Sequence, residues 1–350
     1  MDMLKLADIR QVQIELTTRC NARCPMCMRN YRGLDYNSGY PVTELSLSQI
    51  KHILSPDFLA QLSLGVFFNG NLGDFGLARD AQHIVHWLAD QNVKVYINTN
   101  GSMRTPEWWA SLARSGVAVG FALDGIDQPT HALYRQDTDW DTVIKNAKAF
   151  IAAGGEAIWR FIPFDHNRHQ EEDCKKLAQD LGFARFENID EGRNRGAVYT
   201  RSGEFSHWLG EPYTEHERQN PTPVKQLLEH HVTWFDPLTV KSDNDTLPLQ
   251  ITCQHKRGAI YIAADGSVYP CCFLGFYPAT MHQPGNSQLA LLVSENNALE
   301  YDLAHCMTWF ERVEETWQRK SIADGRLYTC VSTCGQRQPT KHVQTVLSQP

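Results

Sequence analysis

The sequence predicts an α/β protein: a partial (β/α)6 TIM-type barrel followed by a small C-terminal α+β module. Three observations carry this. Short strand-like runs alternate with helix-like stretches over the first half of the chain, the pattern of parallel strands joined by helical crossovers. The alternation dissolves between 188 and 250, a stretch rich in Glu, Arg, Asn, His, Pro and Thr. The cysteines then gather in two places. Cys20, Cys24 and Cys27 lie near the start; Cys253, Cys271, Cys272, Cys306, Cys330 and Cys334 lie in the last hundred residues, and Cys174 stands apart. The expected organisation is a barrel over 1–187, a bridge or cap over 188–250 and a cysteine-rich module over 251–350.

Gln11-Val12-Gln13-Ile14-Glu15-Leu16 alternates polar and apolar residues, as a half-buried strand does. Further strands are expected at Leu64 to Phe68, Val93 to Ile97, Val117 to Leu123, Ala157 to Pro163 and Phe183 to Glu187. Helical patterns fill the intervals at roughly 47–62, 77–91, 106–115, 140–153 and 168–181. In the fourth of these, Val143, Ile144, Ala147 and Phe150 recur at helical spacing and Gly154-Gly155 supplies the stop. Within the bridge a short helix is expected near Val224 to His231. Beyond it, Ile260-Tyr261-Ile262-Ala263 and Ser267-Val268-Tyr269 flank Ala264-Asp265-Gly266, and the Asp-Gly pair is a strong hairpin signal.

With 350 residues, 42% of them hydrophobic and 21% charged, the chain can bury a sizeable core without disulfides. It carries 33 basic and 40 acidic side chains, a net charge of −7. That balance argues against a protein that grips long nucleic acid by its phosphates. No apolar run reaches the ~18 residues of a membrane span, and the first residues lack the basic-then-apolar order of a signal peptide. A cytoplasmic location is therefore expected. There, ten cysteines point to metal or redox chemistry rather than to disulfides.

Cys20-Asn21-Ala22-Arg23-Cys24-Pro25-Met26-Cys27 is a C-x3-C-x2-C loop directly after the first strand. Three thiolates within eight residues can converge on one inorganic core, and soft thiolates suit an iron–sulfur cluster or zinc. On a four-iron cube, three ligands leave one iron open. A zinc loop with its fourth ligand elsewhere is the alternative from the cysteines alone.

This loop resembles the signature of the radical S-adenosylmethionine (radical SAM) superfamily. The resemblance implies that Cys20, Cys24 and Cys27 bind a 4Fe–4S cluster whose open iron is chelated by SAM. Reductive cleavage of SAM then gives a 5′-deoxyadenosyl radical that removes hydrogen from a substrate. The likeness continues through later strand ends. Gly73-Asp74 stands where the family commonly has Gly-Glu, Asn98-Thr99-Asn100-Gly101 matches its Thr-Asn-Gly, and Ala122-Leu123-Asp124-Gly125 resembles its Ser-Leu-Asp-Gly, with alanine replacing serine. Each pair alone is an ordinary turn. Their order, each after an expected parallel strand, places them where barrel active sites sit. The resemblance implies SAM contacts from Met26, Gly73, Asp74, Asn100 and Asp124. For the SAM carboxylate it implies a bidentate guanidinium, from Arg135 in His131-Ala132-Leu133-Tyr134-Arg135 or from Arg160.

The C-terminal cysteines are similar to the SPASM and twitch modules, which hold auxiliary iron–sulfur clusters. Cys253 precedes the first hairpin strand and Cys271 ends the second, so both reach the open end of the hairpin. Cys330 and Cys334 then complete four thiolates. A full SPASM module needs about seven cysteines for two clusters; with six cysteines and no dense C-x2-C-x5-C segment, the one-cluster twitch arrangement is implied. Cys272, Cys306 and Cys174 are read as small buried hydrophobes.

Two 4Fe–4S clusters, SAM and an external one-electron reductant such as flavodoxin or ferredoxin follow from the resemblance. So does a substrate radical whose electron the auxiliary cluster relays. The expected substrate is a ribosomally made peptide, although no clear peptide-clasping winged-helix segment precedes the first strand. The alternatives are oxidation of a small alcohol or amino sugar by a twitch-type dehydrogenase, transfer-RNA modification, which the acidic balance disfavours, and an iron–sulfur or zinc protein without SAM chemistry. Bland roles are expected for His83, His86, His166, His169, Trp108 and Trp109, while Trp159, Arg160 and Glu187 line the cavity only if strand register turns them inward.

Overall fold

The computed structural model describes residues 4–27, 29–34, 41–189, 196–210, 215–221, 223–224, 250–253, 255–276, 288–322 and 324–335. Its strands are β1 (Gln11–Ile14), β2 (Gly65–Phe68), β3 (Val95–Thr99), β4 (Ala118–Ala122), β5 (Glu156–Phe161), β6 (Arg185–Asn188), β7 (Gly196–Tyr199), β8 (Phe205–Leu209), β9 (Ala259–Ile262) and β10 (Val268–Tyr269). The helices are α1 (Leu47–Ile53), α2 (Pro56–Gln61), α3 (Ala81–Asp90), α4 (Pro106–Ala113), α5 (Gln128–His131), α6 (Trp140–Ala152), α7 (Glu171–Asp180), α8 (Glu215–Gln219), α9 (Leu303–Cys306), α10 (Phe310–Thr316) and α11 (Tyr328–Cys334). An eight-stranded sheet has the order β10-β9-β1-β2-β3-β4-β5-β6. Pairs β3–β4, β4–β5, β5–β6 and β1–β9 are parallel. This is the partial barrel that strand–helix alternation predicts. No helix among the described residues is long and apolar enough to cross a membrane.

By its contacts the chain divides into two units. One comprises Glu15–Leu47 and Phe67–Val224. Here α4 and α6 pack through Trp109, Leu112, Val143, Ala147 and Phe150, all buried. Each helix starts on a cap: the hydroxyl of Thr105 accepts from Trp108 N, and the carboxylate of Asp139 from Thr142 N, satisfying backbone donors that have no partner within the helix. Trp109 lies 5.2 Å from Phe121 and 6.5 Å from Phe150 between ring centroids, and its indole N–H reaches Met103 O at 3.0 Å. Strand alternation sorts the candidates around β5. Trp159 is fully buried against Phe183 and Phe186, whereas Arg160 points to the other face and pairs with Glu187 at 2.7 Å.

The other unit comprises Met1–Ile14, Ser48–Val66 and Lys225–Pro350. Here β9 lies parallel to β1, with Gln11 opposite Ala259, and β10 returns antiparallel through the Asp-Gly turn.

Two expectations need correction. The helical stretch 47–62 is two helices, because Ser55 caps a new N-terminus and Pro56 occupies its first turn. The bridge is not structureless: β7 and β8 form an antiparallel hairpin at 196–209. Its strand pattern is short and bulged at Val198/Tyr199, which hides the period of two. The helix expected near Val224 to His231 lies almost wholly outside the described residues.

Trp109→Ala is expected to lower unfolding stability by about 3–5 kcal/mol, the usual range for deleting a buried large aromatic. Urea unfolding followed by circular dichroism measures it, and a loss below about 1 kcal/mol would show that α4 does not depend on this ring.

Candidate active site

The cysteine loop leaves β1 and turns back on itself. Cys27 N donates to Cys24 O and Asn30 N to Cys27 O, at 3.0 and 2.9 Å. The loop is braced from 70–74. Asp74 N donates to Arg19 O at 2.8 Å, and Leu72 N and Gly73 N both donate to the Glu15 carboxylate, at 2.6 and 2.8 Å. At position 73 a Cβ would sit 1.6 Å from Thr17 O, so only glycine permits this approach. Glu15 is a brace that the sequence reading missed.

The neighbouring strand ends are tied to the same loop. The buried Asp74 carboxylate accepts from Gly76 N (2.9 Å), Thr99 Oγ1 (2.8 Å) and Asn100 N (2.7 Å). Asn100 in turn donates from Nδ2 to Asn21 Oδ1 at 3.0 Å and stands 3.9 Å from Cys20 Sγ. Asp124 is fully buried. Its carboxylate accepts from Ile162 N and Arg135 Nε, both at 2.6 Å, while Arg135 Nη1 lies 3.8 Å from Cys24 Sγ. Asp74 and Asp124 thus spend their carboxylates on bracing strand ends, and Arg135 spans from Asp124 to the cysteine loop.

An apolar shelter surrounds the thiols. Cys24 lies in a buried cluster with Ala22, Tyr134, Phe164, Val198 and Leu209, and Cys20, Met26, Cys27 and Ile162 pack against it. Val198 and Leu209 come from β7 and β8, so the hairpin in the bridge helps wall the cysteine loop. Burial pushes the Cys24 thiol up to about 11 despite the nearby guanidinium of Arg135, and raises Cys20 as well, with Asp74 adding to the effect. Thiols in such a place ionise readily only against a cation, so iron binding and thiolate formation are coupled. All ten cysteines are outside disulfides. Among the described residues no three His, Cys, Asp or Glu side chains close about a single-ion position; a four-iron cube instead spreads its thiolates, one to an iron. The donor set fits such a cluster.

His131 is buried beside Arg135. Asp124 N donates to its Nδ1 at 3.2 Å, which places the ring proton on Nε2, 2.9 Å from Thr138 Oγ1. Thr138 Oγ1 donates onward to Arg135 O at 2.6 Å. Burial pushes His131 down to about 3. Arg160, the other guanidinium, lies with its stem across Gly120, where a Cβ would meet Arg160 Cδ at 2.4 Å and Asn98 Oδ1 at 2.7 Å.

In the other unit, Cys253, Cys271, Cys330 and Cys334 line one cavity. Cys330 and Cys334 are i, i+4 on α11 and so share a helix face. Thr252 N donates to Cys334 O at 2.9 Å, drawing the first and last of the four together. Backbone N–H groups of His255 and Lys256 point to the Cys253 sulfur, although burial still pushes that thiol up to about 11. Phe310, Val313 and Glu314 of α10 and Trp317 just past its end, spaced i, i+3, i+4, i+7, line the same cavity. That helical stripe is legible in the sequence but was not read. Cys306 and Cys174 are fully buried.

The Radical SAM superfamily model matches residues 14–180. A nucleotide dehydratase dependent on S-adenosylmethionine, from Selenomonas ruminantium, is 30% identical over 215 residues, 56% of this chain and 73% of that protein. An AdoMet-dependent heme synthase from Methanosarcina barkeri (strain Fusaro / DSM 804) is 24% identical over 291 residues, 76% of this chain and 77% of that one. Among solved structures, Streptococcus suis SuiB bound to S-adenosylmethionine superposes with a TM-score of 0.55 at 14% identity, covering 85% of this chain and 64% of SuiB. The native anSMEcpe structure with bound AdoMet gives 0.51 at 16% identity, covering 88% of this chain and 84% of the other. At those identities the likeness shows the shared fold, and the chain spans less than two thirds of SuiB. The fold and the cysteine loop together define a barrel enzyme that works through an iron–sulfur cluster. The chain belongs to the radical SAM superfamily, and with that membership come SAM and a 4Fe–4S cluster as its cofactors.

His131 and His166 are both held well below the usual histidine value, His166 at about 4, and burial is the main cause in each. The unfolded chain therefore binds more protons than the folded one between about pH 4 and 6.5. Stability is complete above the unfolded value and falls as the pH drops below it, at up to about 1.4 kcal/mol per pH unit for the buried His131 and less for the partly exposed His166, whose charge water screens. Unfolding of the cluster-free chain between pH 7.5 and 5 is expected to show this loss. His131→Gln is expected to flatten the slope, and an unchanged slope would remove His131 from the account.

Proposed function

We propose that this enzyme modifies a ribosomally made peptide by radical chemistry, with a second 4Fe–4S cluster receiving the substrate's electron. The observation that supports it most is the convergence of Cys253, Cys271, Cys330 and Cys334 on one cavity, a complete donor set apart from the loop Cys20, Cys24 and Cys27. Four thiolates saturate a four-iron cluster, which suits electron transfer rather than substrate ligation. The peptide reading draws on the solved neighbours: SuiB is described bound to the precursor peptide SuiA, with a TM-score of 0.54, and anSMEcpe with AdoMet and the Cp18Cys peptide, with a TM-score of 0.50.

In this reading Cys20, Cys24 and Cys27 each hold one iron of the SAM-cleaving cluster and leave the fourth open. When bound there, the cluster and SAM supply a 5′-deoxyadenosyl radical that abstracts hydrogen from the substrate. The chain's own groups do the rest. Glu15 fixes the 72–73 backbone, so Gly73 presents its chain at the closest approach for the SAM amino group. Asp74 locks the Thr99-Asn100 strand end, which sets Asn100 beside Cys20. Both guanidinium candidates for the SAM carboxylate are already paired, Arg135 with Asp124 and beside Cys24 and Arg160 with Glu187, and either would meet SAM with the donors it has left. Met26, Tyr134 and Phe164 keep water from the thiols. An external one-electron reductant such as flavodoxin or ferredoxin feeds the first cluster. The segment 251–350 serves as the twitch-like auxiliary domain in this reading.

Anaerobic reconstitution is expected to give about eight iron per chain, four for each cluster. Replacing Cys20, Cys24 and Cys27 by alanine is expected to halve the iron and abolish 5′-deoxyadenosine release. Stoichiometric zinc without iron would overturn the assignment. For the substrate, a deuterated peptide encoded beside the gene is expected to pass deuterium into 5′-deoxyadenosine. Transfer from deuterated nucleotides or a small alcohol instead would replace the peptide reading.

A further inference from the structure

Three features outside the described machinery bear on chemistry: the wall of the four-cysteine cavity, the polar layer of Asn69, Asn98, Arg160 and Glu187, and the aromatic face of the β7–β8 hairpin. The first carries an inference furthest, because it holds a polar atom with an unmet requirement. The indole of Trp317 is a donor and never an acceptor. Its Nε1 is buried and meets no partner at hydrogen-bonding geometry among the described residues. A buried, unsatisfied donor costs free energy and calls for an explanation.

Trp317 stands one position past the end of α10 and lines the cavity together with Cys330. The other strong acceptor on that helix face, the Glu314 carboxylate, is hydrogen-bonded by Lys256 Nζ at 2.6 Å through Oε2, and its Oε1 lies 2.5 Å from the same ammonium. Four cysteine sulfurs line the cavity with the indole, and Cys330 is the one whose sulfur the Trp317 side chain reaches. A protonated thiol is a weak one, whereas a thiolate on iron carries full negative charge and draws an N–H strongly. We propose that Trp317 donates its indole N–H to the Cys330 thiolate of the auxiliary cluster and holds that cluster's reduction potential up. The proposal rests on the four-cysteine reading of the cavity given above.

The direction follows from electrostatics. Reducing an iron–sulfur cluster adds negative charge to its sulfurs, and a hydrogen bond to a ligating sulfur favours the more negative state. A cluster that accepts an electron from a substrate radical gains from such a donor. Trp317 is in this account a positioning residue for the electron, not a group that touches substrate.

The test uses the reconstituted full chain carrying Cys20→Ala, Cys24→Ala and Cys27→Ala, which leaves the auxiliary cluster alone. Potentiometric titration followed by electron paramagnetic resonance reads its midpoint with Trp317 intact, with Trp317→Phe and with Trp317→His, which keeps a ring N–H. Trp317→Phe is expected to lower the reduced-to-oxidised ratio at fixed potential by up to roughly tenfold, about 59 mV for one electron. Trp317→His is expected to recover part of that shift. An unchanged midpoint in Trp317→Phe overturns the proposal while leaving the cluster in place. Loss of iron from both Trp317 variants shows a packing role and also overturns it. A triple-alanine chain that binds no iron with Trp317 intact overturns the cavity reading itself, and the proposal with it.

Discussion

The buried pair of Asp124 and Arg135 is the interaction on which the rest of the site depends. Asp124 has no exposure to solvent, and its two carboxylate oxygens are divided between the end of β5, through Ile162 N, and Arg135 Nε. Its own N–H fixes the tautomer of His131, whose other nitrogen reaches Arg135 O through Thr138. Arg135 then extends to Cys24. Burial pushes the Asp124 carboxyl up and the Arg135 guanidinium opposes that push, while Asp124 in turn raises Arg135 against its own burial. Removing one partner of such a pair typically costs about 3–5 kcal/mol, mostly from the charge left behind. One carboxylate thus sets the positions of two strand ends, a helix and the cysteine loop.

The two cysteine sets solve the same problem differently. Cys20, Cys24 and Cys27 come from one loop, so the chain must stiffen that loop from outside, which Glu15, Gly73 and Asp74 do through backbone hydrogen bonds. Cys253, Cys271, Cys330 and Cys334 come from three separate places, and rigid elements bring them together: a hairpin, a helix face and the Thr252 to Cys334 contact. The first set leaves a ligand position open for SAM in the proposed arrangement, and the second closes it. In that arrangement the difference in donor count would separate a cluster that binds SAM from one that passes electrons.

Much of this was legible in the sequence because it is local. The strand–helix alternation gave β1 to β6 within a few residues, since each strand carries its own apolar pattern and α2, α4 and α6 start on their own caps. The cysteine loop, Thr99-Asn100-Gly101 and Asp124-Gly125 could be read because barrel chemistry collects at strand ends. What escaped depends on contacts distant in sequence. Glu15 is an ordinary strand residue until Leu72 and Gly73 come against it. The division of Arg135 between Asp124 and Cys24 needs 111 residues of chain to close. The hairpin at 196–209 was hidden because its strands are short and one is bulged. The inward stripe of α10, by contrast, follows a plain helical period and was there to be found.

The central claim is that Cys20, Cys24 and Cys27 hold a cluster with an iron open to SAM. Electron paramagnetic resonance on the reduced, reconstituted chain carrying Cys330→Ala and Cys334→Ala tests it most directly, because only the first cluster should then contribute. Adding SAM is predicted to change the spectrum, and SAM labelled with nitrogen-15 at its amino group is predicted to show hyperfine coupling to the cluster. A reduced cluster whose spectrum is the same with and without SAM would contradict the account.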